Sequence, residues 1–127
     1  MTDTVSIVTA VYNGEKTIRR AIESVLNQTV ACKEYTVVDG LSSDHTVEIA
    51  QEYRERFQEK GISYRILSEK DRGIYDAMNK GISLSEGTII GMINSDDWYE
   101  PNAVETVLSA YAKSHFDMMY ADLRMYK

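Results

Sequence analysis

The sequence predicts an α/β fold: a mostly parallel sheet with the first strand central and helices on both faces. Three observations carry that expectation. Short β-branched runs alternate with amphipathic stretches along the whole chain. Polar or aromatic residues follow several of the strand-like runs. The chain has 127 residues, the size of one domain.

The elements follow in order. Val5 to Ala10 (VSIVTA) reads as a buried first strand, bounded by Asn13-Gly14. Between Glu15 and Asn27 the apolar residues Ile18, Ala21, Ile22, Val25 and Leu26 recur at helical spacing. Tyr35 to Val38 is a second short strand ending at Asp39-Gly40. Val47, Ala50, Tyr53 and Phe57 mark a second helix, with Asp44 as N-cap and Gly61 as stop. Ile62 to Leu67 gives a third strand, followed by the polar loop SEKDRG. Ile74, Ala77, Met78 and Ile82 suggest a third helix, weakened by Gly81. Thr88 to Ile93 is a fourth strand, with Asn94-Ser95-Asp96-Asp97 at its end. Pro101 suits the first turn of a fourth helix whose face is Val104, Val107, Leu108 and Tyr111. Phe116 to Tyr120 reads as a fifth strand.

Composition narrows the function. Hydrophobic residues make up 43%, which argues against disorder. Cys32 is the single cysteine, so an intramolecular disulfide framework is excluded. The formal charge of -6 supplies no general basic face for nucleic acid. No apolar run is long enough to span a bilayer, and the first residues do not read as a secretory signal. A soluble, cytoplasmic domain is expected.

In open α/β sheets ligands bind outside the carboxyl ends of the strands. That rule selects Ala10 to Asn13, Asp39-Gly40 and Asn94 to Asp97. Taken singly, Asp39 is equally well a turn residue, and Asp96 and Asp97 a helix start before Pro101. Their placement on one rim favours a site. Adjacent carboxylates repel, and a hard divalent cation such as Mg²⁺ or Mn²⁺ relieves the repulsion. No Walker loop is present and no GxGxxG follows the first strand, so bound phosphates would be held by metal rather than by a glycine cradle.

SIVTAVYNGEKTI, VVDGLSSDHT, SEKDRGIYDAMNKGI and GTIIGMINSDDWYEP, in that order, resemble the inverting family 2 glycosyltransferases of the GT-A fold. Each piece alone is weak; four in order cover nearly the whole chain. The resemblance implies transfer of a sugar from a nucleotide-diphosphate sugar to an acceptor hydroxyl on a saccharide or lipid-linked saccharide, as in polysaccharide biosynthesis. It implies that Ala10, Val11 and Tyr12 line the base and that Asp39 accepts from its ring N–H. Arg72 would lie near the base or diphosphate. The family's Asp-x-Asp motif falls on Asn94-Ser95-Asp96, making Asp96 the ligand of a Mg or Mn cation and leaving Asn94 a weaker contact to ribose or metal.

Two departures accompany the resemblance. Asn94 replaces the first aspartate of the motif. The family's catalytic base lies far downstream of Asp96, and Asp117 and Asp122 are too close in sequence to serve. Residues 1–127 are therefore expected to be one nucleotide-sugar-binding domain, a donor-binding portion cut short at its C-terminus, with the base beyond Lys127. The expected location is cytoplasmic, with peripheral association at the inner membrane face as an option. The missing base also motivates an alternative, a non-catalytic module that captures a nucleotide or nucleotide-sugar. A phosphoacceptor signalling domain fits poorly, because the acidic pair follows the fourth strand. A nucleotidyltransferase fits poorly too, because Asn13-Gly14-Glu15-Lys16 makes no glycine-rich basic loop.

Other residues have plainer readings. His45 is a solvated first-turn residue, His115 has no second ligand at metal spacing, and Cys32 has no base nearby in sequence. Trp98 either lines the sugar or acceptor site or packs against the fourth helix.

Overall fold

The structure is a computed structural model that describes residues 3–114. The elements run β1 (Val5–Val11), α1 (Ile18–Leu26), β2 (Glu34–Asp39), α2 (Thr46–Gln51), α3 (Arg54–Glu59), β3 (Ser63–Ser68), α4 (Ile74–Leu84), β4 (Ile89–Asn94) and α5 (Ala103–Ser114). The described strands form one sheet in the order β3-β2-β1-β4, every pair parallel. The first strand is interior, as the alternation predicts. The fifth strand expected at Phe116 to Tyr120, and with it His115, Asp117 and Asp122, lies outside the described residues.

Side chains alternate across β1 and β2, so the sheet has two apolar faces. Val5, Ile7, Val11, Tyr35 and Val37 share a core with Ile18, Ile22 and Val25 of α1, Phe57 of α3 and Val104 of α5. Val8, Ala10 and Val38 on the other face meet Ala77 and Met78 of α4. Burial of β1 and β2 on both faces explains why they read as short runs rich in apolar and β-branched residues. Phe57 stacks on Tyr64 at 4.3 Å between ring centroids and tilts against Tyr35 at 5.6 Å, closing the outer end of the first core.

Gly81 has a packing reason. A Cβ there would lie 2.2 Å from Val8 Cγ1, so only glycine lets α4 approach β1 this closely. What weakens the helix as a sequence pattern is what seats it.

The expected second helix is two helices. Glu52 and Tyr53 bond back to Ile49 and Ala50, three residues earlier, and this tighter turn breaks the α geometry between α2 and α3. The ring of Tyr53 stays buried and its hydroxyl donates to Glu23 on α1 at 2.7 Å. Ala50, Tyr53 and Phe57 therefore all face the core, and the periodicity survives the break. Gly61 does stop the second helical segment: φ is +72°, and Ile62 and Gly61 donate to the carbonyls of Phe57 and Gln58. The N-cap position of α2 is His45 rather than Asp44. Asp44, one residue earlier, still accepts from the Thr46 N–H at 3.0 Å. Pro101 sits in the turn just before α5 rather than inside its first turn.

Candidate functional site

β1 lies between β2 and β4: the chain runs outward from β1 to β2 and β3, then crosses back to place β4 on the other side of β1. That is the switch point at which open parallel sheets bind ligands. The register brings the selected strand ends together: Val11 pairs with Asp39, Ala10 with Asn94, and Asp39 with Ser68. Tyr12 stands at this rim, 64% exposed. The loops also touch. A Cβ on Gly14 would come within 3.3 Å of Ser95 Oγ, and one on Gly40 within 2.7 Å of Asp71 Oδ2. The segments after β1, β2, β3 and β4 thus meet at one end of the sheet.

Asp39 is fully buried. Its Oδ2 accepts from the Ser42 N–H at 3.0 Å and the Ser68 hydroxyl at 2.8 Å, and its Oδ1 accepts from the Ser42 hydroxyl. A carboxylate offers about four acceptor places, so one on Oδ1 remains. Two residues beside it hold positive φ without being glycine, Asn13 at 51° and Leu41 at 64°. Leucine is rare in that region, so the surrounding bonds must enforce it.

Those bonds run between the loop after β1 and the loop after β2. Asn13 N–H donates to Ser42 Oγ at 2.7 Å, Gly14 N–H to Thr46 Oγ1 at 3.0 Å and Glu15 N–H to Asp44 Oδ2 at 3.1 Å. In return Asn13 Oδ1 accepts from the Ser43 N–H at 2.8 Å. The consecutive N–H groups before α1 are the ones that commonly cradle a diphosphate in nucleotide-binding sheets. Here side chains of the neighbouring loop occupy them. Desolvation pushes the Asp44 carboxyl up, but hydrogen bonds from Thr46 and Glu15 outweigh it and hold it below the usual range. At the loop surface His45 Nδ1 lies 3.0 Å from Glu15 Oε1. The hydrogen bond raises the His45 pKa, and the bond from the His45 N–H is the main cause lowering that of Glu15.

The β4 end is different. Asp97 N–H donates to the Asn94 carbonyl at 3.0 Å and closes a turn. Asn94 and Asp96 are exposed, and Ser95 is half-buried. The Asp96 carboxylate has no hydrogen-bond or ion-pair partner among the described residues, nor does the Arg72 guanidinium in the loop before α4. Arg72 is exposed, and its N–H donates to Asp76. Gly73, with φ at +114°, provides a turn that a side chain would strain. Among the described residues no group of three or more His, Cys, Asp or Glu is placed to hold a metal.

Trp98 lies under Arg20 of α1, with the guanidinium carbon 4.1 Å from the ring centroid. Its packing partner is thus α1. Cys32 is buried, and burial pushes its thiol up to about 12, so it is no nucleophile near neutral pH. Ser42, Thr46 and Asp71 are site neighbours that sequence reasoning missed. The signal for Ser42 and Thr46 was the density of Ser, Thr and Asp after the second strand, and for Asp71 the polar loop after the third, residues that readily bond to backbone.

Comparison with known proteins bears on the family and the fold. The chain is 39% identical over 109 residues to a chondroitin synthase of Escherichia coli, covering 86% of this chain and 15% of that protein. It superposes on Staphylococcus aureus TarS 1-349 in complex with UDP-GlcNAc with a TM-score of 0.77 at 24% identity, over 88% of this chain and 32% of that one. It superposes on a mannosyltransferase of Pyrobaculum calidifontis in complex with GDP-Man and Mn²⁺ with a TM-score of 0.76 at 19% identity, over 88% and 33%. The chain spans less than half the length of each. The fold is GT-A. The model of the family described as glycosyl transferase family 2 matches residues 6–127. This chain belongs to glycosyl transferase family 2.

Proposed function

We propose that residues 1–127 are the donor-binding portion of an inverting glycosyltransferase that moves a sugar from a nucleotide-diphosphate sugar to an acceptor hydroxyl. The observation that carries this reading is the asymmetry of the rim: the N–H groups before α1 are internally satisfied, whereas the Asp96 carboxylate is exposed and has no partner among the described residues. The nucleoside stacks on Tyr12 beside Ala10 and Val11. Its ring N–H takes the acceptor place on Asp39 Oδ1 that the Ser42 hydroxyl vacates as it turns aside. Arg72 faces the diphosphate, and Asn94 and Ser95 face the ribose.

Asp96, with Asn94 and Asp97 on the same turn, fits a Mg²⁺ or Mn²⁺ ion that keeps most of its shell for water and diphosphate oxygens. It does not make a preformed cage. When bound, such a cation would offset the charge of the departing diphosphate. A base supplied elsewhere in the full protein takes the proton of the acceptor, a saccharide or lipid-linked saccharide, which attacks the anomeric carbon from the opposite face. The support comes from the family match and from structural neighbours whose complexes hold UDP-GlcNAc or GDP-Man with Mn²⁺. A cytoplasmic location is part of the same proposal; among the described residues no helix is long and apolar enough to cross a membrane.

Calorimetry with UDP, GDP and ADP on wild type and Asp39→Ala tests the base pocket. Loss of a charged acceptor should weaken the preferred nucleotide by roughly ten- to hundredfold. Equal affinities would put the base elsewhere.

A further inference from the structure

The acidic turn is clamped on both sides while its Asp96 carboxylate is left open. Upstream, Asn94 is held by β-pairing to Ala10, and the Tyr99 hydroxyl donates to the Met92 carbonyl at 2.8 Å. Downstream, one face of α1 and its continuation makes a ladder at four-residue spacing. Arg20 covers the Trp98 ring. Ser24 Oγ accepts from the Tyr99 N–H at 3.1 Å. Gln28 Nε2 donates to the Glu100 carbonyl at 2.7 Å, and Gln28 Oε1 accepts from the Val104 N–H at 2.9 Å.

The Gln28 contact is unusual in kind. Val104 is in the first turn of α5, where N–H groups have no partner within their own helix. A side chain just past the end of α1 therefore caps α5, and it spans the Pro101 turn by gripping Glu100 as well. Thr29 adds a backbone bond to the Pro101 carbonyl at 2.8 Å. Gln28 is 7% exposed, and its amide is satisfied by these groups and by the Ser24 carbonyl. None of these side chains belongs to the rim, yet together they fix where the turn begins and ends.

We propose that Arg20 and Gln28 are positioning residues: α1 sets the acidic turn through Trp98, Tyr99 and the start of α5. That they thereby tune capture of a cation and a nucleoside diphosphate rests on the donor-binding reading above. A carboxylate that supplies one ligand to a bridged cation depends on backbone placement, because among the described residues no preformed ligand cage corrects an error in it.

Trp98 is the sole tryptophan, so its fluorescence reports the turn directly. The experiment uses wild type, Arg20→Ala, Arg20→Lys and Gln28→Ala, each checked for folding by circular dichroism. It reads acrylamide quenching of Trp98, and UDP and GDP affinity with and without Mn²⁺. Arg20 is exposed, so its variants keep the fold even if Gln28→Ala does not. The expected result is stronger quenching in both alanine variants, although Gln28 bonds to Glu100 and Val104 rather than to Trp98. Metal-free affinity should stay within about twofold, the Mn²⁺-dependent gain should fall by about tenfold, and Arg20→Lys should restore most of it. Unchanged quenching in the folded alanine variants overturns the positioning role. An equal fall in affinity with and without Mn²⁺ also overturns it, since that marks general damage. If wild type shows no Mn²⁺ gain while quenching responds as expected, the donor-binding reading fails and the positioning of the turn stands.

Discussion

The two halves of the rim are made from similar residues and behave oppositely. After β1 and β2, Asn, Ser, Thr and Asp side chains are consumed by each other and by backbone N–H groups, across about thirty residues of sequence. After β4, the turn is fixed by groups behind it, and its Asp96 carboxylate meets no protein partner among the described residues. The comparison teaches where an anion can go. A loop whose donors are already satisfied gains little from a diphosphate, while an unpaired carboxylate gains much from a cation that a diphosphate completes.

The sharpest way to break this contrast is to remove an aspartate from each half. Asp39→Ala should lower unfolding free energy by about 2–3 kcal/mol, because the half-buried Ser42 and the exposed Ser68 lose three hydrogen bonds to a fully buried charged acceptor. Asp96→Ala should stay within about 0.5 kcal/mol of wild type, as expected for an exposed group. Urea midpoints at equal m-value measure both; similar losses would mean that the halves are not different in kind. A smaller effect is expected from Ser42→Ala. It should cost about 1 kcal/mol through the lost bonds to Asp39 and Asn13. Nucleotide affinity should hold within about threefold, because the hydroxyl is displaced by the base in this account. A large loss of affinity would make Ser42 a direct contact.

The least effect is the pH dependence of the closed half. The hydrogen bond to Glu15 raises His45 above 6.5, so its contribution is full below that unfolded value and is lost as pH rises through the folded one. The partner Glu15 is lowered from 4.5, so its contribution is full above that value and fades as pH falls through the folded one. The surface pair is therefore strongest between pH 4.5 and 6.5. Thermal midpoints of wild type and His45→Ala at pH 5.5 and 8 should differ slightly at the lower pH and converge at the higher. A difference that grows with pH would reverse the assignment.

The strand ends were legible because burial of β1 and β2 on both faces leaves short runs rich in apolar and β-branched residues, and turn residues mark where they stop. The break at Glu52-Tyr53 was not, because Tyr53 keeps its place on the apolar face through a tighter turn. Position after a strand marked Asn94 to Asp97 as a rim segment, and only the family resemblance singled out Asp96 within it. The closure of the other half was hidden: Asn13 stood out only as the residue after the first strand and Ser42 not at all, and only the fold brings them within 2.7 Å. The same limit applies to Gln28, which looks like a helix-end residue until α5 is seen to start on it.

The central claim is that the open carboxylate couples a divalent cation to a nucleoside diphosphate. Titration of UDP and GDP with and without Mn²⁺, on wild type and Asp96→Asn, tests it directly. Wild type should bind one nucleotide at least about tenfold more tightly with Mn²⁺, equally coupled in the reverse titration, and Asp96→Asn should lose that gain while keeping its metal-free affinity. The same affinity in all four conditions would contradict the account and leave Asn94–Asp97 as a turn that only starts α5.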